Sequence, residues 1–83
     1  MYSIEFSDLA KKQFSKLPID IKKRIASSLE RIKIRPEHYI KKLVGELGYK
    51  LRVEDYRIII DVDRNKLLIL VIKIGNRRNI YKK

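Results

Sequence analysis

The sequence contains no cysteine and no tryptophan, and it has only one histidine, three glycines and two prolines among its 83 residues. The lack of cysteine excludes disulfides, a thiolate nucleophile and a thiolate zinc site. The single histidine, His38, excludes ribonuclease chemistry that uses paired imidazoles, and without clustered carboxylates it is a poor metal ligand. We therefore predict neither a metal site nor a small-molecule cofactor.

Long apolar runs are also missing. The longest uninterrupted one spans residues 67–72, which is too short to cross a membrane. The first six residues show no basic segment leading into an apolar stretch, so we predict no signal peptide. These absences predict a cytoplasmic protein with no membrane partner, and the length predicts one small domain over residues 1–83.

Positive charge is what the sequence has in excess. It contains 21 lysines and arginines against 10 aspartates and glutamates, which gives a formal net charge of +11. Such an excess in a short chain predicts a polyanionic partner, with nucleic acid as the leading candidate. The last eleven residues contain five bases and no acid: Lys73, Arg77, Arg78, Lys82 and Lys83.

The hydrophobic pattern of the first half predicts one strand and two helices. Apolar and polar residues alternate over residues 2–6, as in a half-buried strand. A first helix is capped by Ser7 or Asp8 and ends at Pro18. A second helix opens at Pro18 and ends near Arg35, because Pro36 disfavours a helical conformation in the residue before it. Residues 37–48 are predicted to form a connecting loop with at most one turn of helix.

Three antiparallel strands are predicted for the second half, over residues 49–53, 56–62 and 67–74. Glu54 and Asp55 form the first connection, and residues 63–66 supply the turn chemistry of the second. Both amphipathic helices can be buried against one face of a four-stranded sheet. The predicted fold class is therefore a two-layer α+β domain.

The first hairpin of this meander gathers positive charge. If Glu54 and Asp55 form a two-residue loop, Arg52 lies opposite Arg57 and on the same face as Lys50. Like charges directly across a sheet are destabilising, and a bound phosphate would remove that conflict. The alternative is that these side chains are simply solvated on an exposed face. The hairpin pattern by itself leaves both interpretations open.

Five stretches form a recognisable series along the chain: AKKQFSKL at 10–17, YKLR at 49–52, DYRI at 55–58, VIKIGNR at 71–77 and Tyr81. In this order they resemble the RelE-type toxins of bacterial and archaeal toxin–antitoxin modules. The resemblance implies a RelE-like fold and an mRNA interferase, an endoribonuclease that cuts mRNA in the ribosomal A site without a metal and so inhibits translation. It also implies three partners: the ribosome, its mRNA and a RelB-like antitoxin.

The resemblance further implies a catalytic set, which consists of Lys50, Arg52, Arg57, Arg77 and Tyr81. Cleavage through the 2′-hydroxyl of RNA requires a proton acceptor, stabilisation of charge at phosphorus and neutralisation of the departing 5′-oxygen. Lys50 is the candidate base, because the neighbouring cations Arg52 and Arg57 disfavour its charged form. Arg57 and Arg77 are assigned to the phosphate, with Arg77 nearest the leaving oxygen. Tyr81 is assigned to stacking on a base.

Further basic residues are expected to bind RNA: Arg78, Lys73, Lys82 and Lys83. Arg78 also competes with Arg77 for its role. Two other functions stay open. A ParE-like branch with the same fold inhibits DNA gyrase by binding and lacks the cleavage set, and the joint presence of Lys50, Arg52 and Arg77 argues against it. A non-catalytic RNA-binding module would use the same side chains only to position phosphates.

Overall fold

The computed structural model describes residues 1–43 and 48–76. The elements follow in this order: β1 (Ser3–Phe6), α1 (Asp8–Ser15), α2 (Ile19–Ile34), a 3₁₀ turn (Pro36–His38), β2 (Lys41–Lys42), β3 (Tyr49–Val53), β4 (Tyr56–Asp63) and β5 (Leu68–Asn76). Within the described ranges, no helix has both the length and the apolar character needed to cross a membrane.

Helix α1 begins where the sequence predicts. The side-chain oxygen of Ser7 accepts a hydrogen bond of 3.0 Å from the backbone N–H of Ala10, which satisfies one of the free donors of the first turn. The last helical residue is Ser15, and Pro18 then precedes the first residue of α2. The break between the two helices is therefore encoded locally.

Helix α2 buries one stripe of its surface, which consists of Ile25, Leu29 and Ile32. This spacing of four and three residues places the side chains on one face of a helix. The helix ends at Ile34, and Arg35 leaves the helical region with a φ of −142°. Pro36 explains the end point, since its ring disfavours a helical conformation in the preceding residue.

The strands form one sheet in the order β1-β5-β4-β3-β2, in which β1 runs parallel to β5 and the other pairs are antiparallel. The α+β class and the three-stranded meander are thus confirmed. The predicted strand count was wrong, because the sheet has five strands rather than four. The additional strand, β2, has two residues and lies in the segment predicted to be a loop. Two residues are too few to show the alternation that marks a strand.

Both helices cover the same face of the sheet, which we call the core face. The side chains buried between the layers are almost all aliphatic: Ala10, Ile25, Leu29, Ile32, Ile40, Leu51, Val53, Ile58, Ile60, Ile69, Val71 and Ile74. We call the other side of the sheet the open face. Its side chains are half-buried or exposed, and among them are Lys41, Lys50, Arg52, Arg57, Ile59, Lys73, Asp61 and Glu5.

Gly48 stands at the entry to β3 in a conformation that other residues rarely adopt. Its φ is +105°, and a Cβ atom built on it would lie 2.9 Å from the backbone oxygen of Ile60. The position therefore requires glycine for two reasons, the positive φ and the close approach of the neighbouring strand.

We expect Gly48→Ala to lower the free energy of unfolding by about 1–3 kcal/mol, since alanine must accept a strained backbone or displace β4. Urea denaturation followed by circular dichroism measures the change. Ser27→Ala, at an exposed position of α2, is the control and should stay within about 0.5 kcal/mol of the parent protein. Equal stability of Gly48→Ala and the parent would contradict this account.

Candidate functional site

Strand pairing assembles a cluster of cations on the open face. Two neighbouring rows cross the sheet, the first through Lys41, Lys50, Ile59 and Lys73 and the second through Arg52, Arg57 and Gly75. We call the five cations of these rows the basic patch: Lys41, Lys50, Arg52, Arg57 and Lys73. Four sequence-predicted site residues therefore lie together, namely Lys50, Arg52, Arg57 and Lys73.

The β3–β4 hairpin fixes the centre of the basic patch. Val53 pairs with Tyr56 and Arg52 pairs with Arg57, which is the register predicted for a two-residue loop. Arg52 is exposed, whereas Arg57 is half-buried. Directly opposed side chains in an antiparallel pair have Cβ atoms roughly 4.5–5.5 Å apart, and like charges at such positions repel each other. A phosphate bound by both groups would turn this repulsion into attraction.

The negative charge of the open face lies away from the hairpin. Asp61 and Glu5 both pair with Leu70, from opposite sides of β5. Neither row of the basic patch contains an acidic residue among those that the structure describes. The open face is therefore divided into a basic end beside the hairpin and an acidic end beside β1.

A β-bulge in β5 places Lys73 in the basic patch. Lys73 pairs with Ile59 and Val71 pairs with Ile60, so that Ile72 has no counterpart in β4. Because side chains alternate along a strand, Lys73 would share the core face with Val71 if the extra residue were absent. The bulge instead leaves Lys73 exposed and brings Ile74 into the core at 3% exposure.

Helix α1 and its cap hold this bulge from the outer edge of β5. Strand β1 pairs with β5 only as far as Val71. Beyond that point the Ser7 hydroxyl donates to the backbone oxygen of Ile72 at 2.5 Å, and the backbone N–H of Ile74 donates to Oε1 of Gln13 at 2.6 Å. Two part-buried side chains thus replace the missing strand, and they link the packing of α1 to the position of Lys73.

A cavity of about 220 Å³ opens beside the basic patch. It is lined by Tyr39, Lys41, Lys50 and Arg52. The sequence reasoning missed Tyr39 and Lys41 as site residues, because they border a strand that the hydrophobic pattern does not reveal. The signal that was present is an aromatic residue two positions before a basic pair and directly after a proline-initiated turn.

An ion pair connects the tip of the hairpin to helix α2. Arg24 donates to Oε2 of Glu54 at 2.8 Å, and both side chains are about half exposed or more. Solvent screening limits such a pair to at most about 1 kcal/mol. It links α2 to the loop between the two arginine-bearing strands.

In residues 1–43 and 48–76, no group of three or more His, Cys, Asp or Glu side chains is arranged to hold a metal ion. In the β4–β5 turn, hydrogen bonds with Tyr49 and then with Tyr2 raise the pKa of Arg64. Since arginine is protonated at neutral pH in any case, this shift does not alter the charge of the protein there.

The remaining predicted site residues follow β5 in the sequence. Arg77, Arg78, Tyr81, Lys82 and Lys83 lie outside the residues that the structure describes. Asn76, the last described residue, pairs with Tyr56 at the hairpin end of β4. The described part of β5 therefore ends at the same end of the sheet as the Arg52–Arg57 pair.

Comparison with known proteins identifies the family. The family model "ParE toxin of type II toxin-antitoxin system, parDE" matches residues 4–81. The chain belongs to this toxin family. The structural similarities below place this toxin in the wider RelE/ParE superfamily. None of the curated protein sequences compared with it gives a significant match.

Solved RelE structures resemble this toxin over nearly their whole length. RelE in the intact Escherichia coli RelBE toxin–antitoxin complex is 26% identical with a TM-score of 0.81, and the match covers 92% of this chain and 96% of that one. The isolated E. coli RelE toxin is 26% identical with a TM-score of 0.80, covering 92% and 84%. In the Methanococcus jannaschii RelB–RelE complex the identity is 28% and the TM-score 0.74, covering 93% and 94%.

The role of Gln13 in holding the bulge can be tested by amide exchange. Gln13→Met keeps the side-chain length but removes the acceptor for the Ile74 N–H. We expect this amide to exchange about two- to twelvefold faster, which corresponds to the loss of one hydrogen bond of about 0.5–1.5 kcal/mol. Hydrogen–deuterium exchange followed by NMR gives the rate. Gln13→Glu retains an acceptor oxygen, so the Ile74 amide should exchange at the parent rate in this control. An unchanged exchange rate in Gln13→Met would show that the Gln13 side chain does not hold the bulge.

Proposed function

We propose that this toxin is an mRNA interferase, a ribosome-dependent endoribonuclease that cuts mRNA in the A site and thereby inhibits translation. The observation that carries the proposal is the register of the β3–β4 hairpin, which places Lys50, Arg52 and Arg57 on one side of the sheet. The similarity to RelE structures over more than nine-tenths of the chain supports it.

The proposed reaction uses the RNA's own 2′-hydroxyl as nucleophile. Its oxygen attacks the adjacent phosphorus, the bond from phosphorus to the 5′-oxygen breaks, and the products are a 2′,3′-cyclic phosphate and a free 5′-hydroxyl. Lys50 accepts the proton of the 2′-hydroxyl, because the guanidinium groups of Arg52 and Arg57 stay protonated and cannot do so. The 5′-oxygen takes a proton from water as it leaves, and Lys50 returns the proton that it accepted to the solvent.

The arginines supply charge. Arg52 and Arg57 bind the scissile phosphate and stabilise the negative charge that grows on its oxygens in the transition state. From the family resemblance, Arg77 neutralises the departing 5′-oxygen, with Arg78 as the competing residue, and Tyr81 stacks on a base. Proton transfer and charge stabilisation by side chains suffice for this chemistry, so the proposal includes no metal and no cofactor.

The remaining basic residues strengthen the binding of RNA through electrostatic attraction. Lys73 lies in the same row as Lys50, two strands away. Lys82 and Lys83 extend the positive charge at the end of the sequence. In this proposal these side chains contact the RNA backbone, and their contribution weakens as salt rises.

We further propose a RelB-like antitoxin as the natural partner. The support comes from the solved neighbours, two of which are toxin–antitoxin complexes from E. coli and M. jannaschii. The net charge of +11 favours a partner with acidic segments. Such a partner would silence the toxin by covering the basic patch.

A second candidate function is inhibition of DNA gyrase, and the ParE description of the matching family model favours it. This function needs binding to gyrase but no RNA cleavage. A supercoiling assay with purified gyrase examines it directly, and the Lys50 variants described below should then behave like the parent toxin.

Primer extension on a defined mRNA in a reconstituted translation system tests the nuclease proposal. We expect cuts on ribosome-bound mRNA and none on naked mRNA. Lys50→Ala and Arg77→Ala should abolish them. Lys50→Arg keeps the positive charge but cannot accept a proton, so we expect kcat to fall by about 10²- to 10⁴-fold with ribosome binding retained.

Lys42→Ala is the matched control for these variants. Lys42 pairs with Tyr49 and faces away from the basic patch, one residue from Lys41. The Lys42→Ala variant should cleave ribosome-bound mRNA like the parent toxin. If folded parent toxin does not cleave mRNA on ribosomes that it binds, the nuclease proposal fails. If Lys50→Arg cleaves at the parent rate, Lys50 is not the proton acceptor.

A further inference from the structure

We propose that the cavity formed by Tyr39, Lys41, Lys50 and Arg52 is a nucleotide subsite, in which one base of a single-stranded RNA stacks on Tyr39 and the adjoining phosphate lies between Lys41 and Lys50. The inference rests on the proposed function, because two of the four residues are those assigned there to RNA. It adds Tyr39 and Lys41 as binding residues, which neither the family match nor the sequence pattern indicates.

The side chain of Tyr39 is exposed to solvent, whereas hydrogen bonds fix the backbone of this segment. The residue directly follows the 3₁₀ turn, and its N–H donates to the backbone oxygen of Pro36 at 3.0 Å. Ile40, the next residue, also donates to Pro36 and is buried at 9% exposure. Tyr39 itself is 48% exposed. A large ring on an anchored segment loses little conformational freedom when it binds, which favours recognition.

The cations of the cavity suit a phosphate group. Lys41 is paired with Lys50 across β2 and β3, and Arg52 stands two residues further along β3. None of the described residues that line the cavity is acidic. Three cations facing one space repel each other, and a phosphate placed among them would be held by charge-assisted hydrogen bonds.

The combination of a ring with cations favours a nucleotide over an acidic peptide. Single-stranded RNA offers unstacked bases with exposed π-faces and a phosphate at every step, so it uses both components at once. An acidic peptide would use the cations but would leave the ring without a planar partner. The volume, about 220 Å³, is below the roughly 300–1,000 Å³ of typical small-molecule sites, which fits one unit of a longer chain.

The experiment measures binding without cleavage. Its probe is a fluorescently labelled single-stranded deoxyadenosine hexamer, which lacks the 2′-hydroxyl and cannot be cut by the proposed reaction. Fluorescence anisotropy at several salt concentrations gives Kd for the 83-residue toxin and four variants: Tyr39→Leu, Tyr39→Phe, Lys41→Gln and Lys42→Gln. Thermal unfolding of each variant verifies that it is folded.

We expect Tyr39→Leu to raise Kd by about 5- to 150-fold, the range found when one base loses an aromatic partner. Tyr39→Phe should stay within about threefold of the parent, since it keeps the ring. Lys41→Gln should reduce the slope of log K against log salt by about 0.7, the value for one phosphate contact on a single strand. Lys42→Gln, which changes the neighbouring residue on the opposite face, should leave that slope unchanged.

Equal Kd values for Tyr39→Leu and the parent would overturn the proposal, as would an identical loss of slope in the two lysine variants. Failure of the parent toxin to bind the hexamer at low salt would also overturn it. If Tyr39→Leu instead loses affinity for an acidic antitoxin peptide while it retains the hexamer, the cavity is a protein-docking site. An absence of mRNA cleavage on ribosomes, with Tyr39-dependent binding intact, would count against the nuclease function alone.

Discussion

The alternation of side chains along a β-strand is the constraint on which the open face depends. With a period of two, each residue of β3 and β4 faces either the core face or the open face, and a slip of one position would exchange the two sets. Leu51, Val53 and Ile58 are buried at 7% exposure or less, so the core itself selects the register. The burial of the aliphatic neighbours therefore fixes the positions of Arg52 and Arg57 across the hairpin.

The same constraint explains the bulge in β5. The strand must place both Val71 and Ile74 in the core, although their positions in the sequence differ by three, which is an odd number. The unpaired residue of the bulge shifts the alternation of side chains by one position, so that Lys73 lies on the open face. Because β1 ends opposite Val71, the outer edge of β5 has no strand beside it at the bulge, and the side chains of Ser7 and Gln13 provide partners for the backbone of Ile72 and Ile74. Helix α1, which packs on the core face, thus helps to hold the bulge that places Lys73 on the open face.

The basic patch places like charges on adjacent strands, an arrangement that weakens a sheet. The domain tolerates this without a disulfide, and the residues that the structure describes include twelve buried apolar side chains. In the proposed function the conflict is relieved when RNA phosphate enters, so the repulsion present in the free toxin becomes binding energy in the complex. An antitoxin with acidic segments would relieve it in the same way, which is a physical reason for one surface to serve both proposed partners.

The sequence by itself determined the features that local chemistry encodes. Pro18 and Pro36 delimit the helices, and the Glu54–Asp55 loop sets the register of the hairpin. From that register, the alternation of side chains places Lys50 on the same face as Arg52 and Arg57. The roles of Arg77 and Tyr81, which lie beyond the described residues, remain predictions from the family resemblance.

Tertiary structure decided the rest, because those features arise from contacts between distant parts of the chain. Strand β2 exists only by pairing with β3, and its two residues carry no periodic signal. The run over residues 67–72 is apolar throughout, so nothing in it reveals where the alternation shifts. The parallel pairing of β1 with β5 joins residues more than 60 positions apart. The cavity beside Tyr39 likewise forms only when β2 and β3 lie side by side.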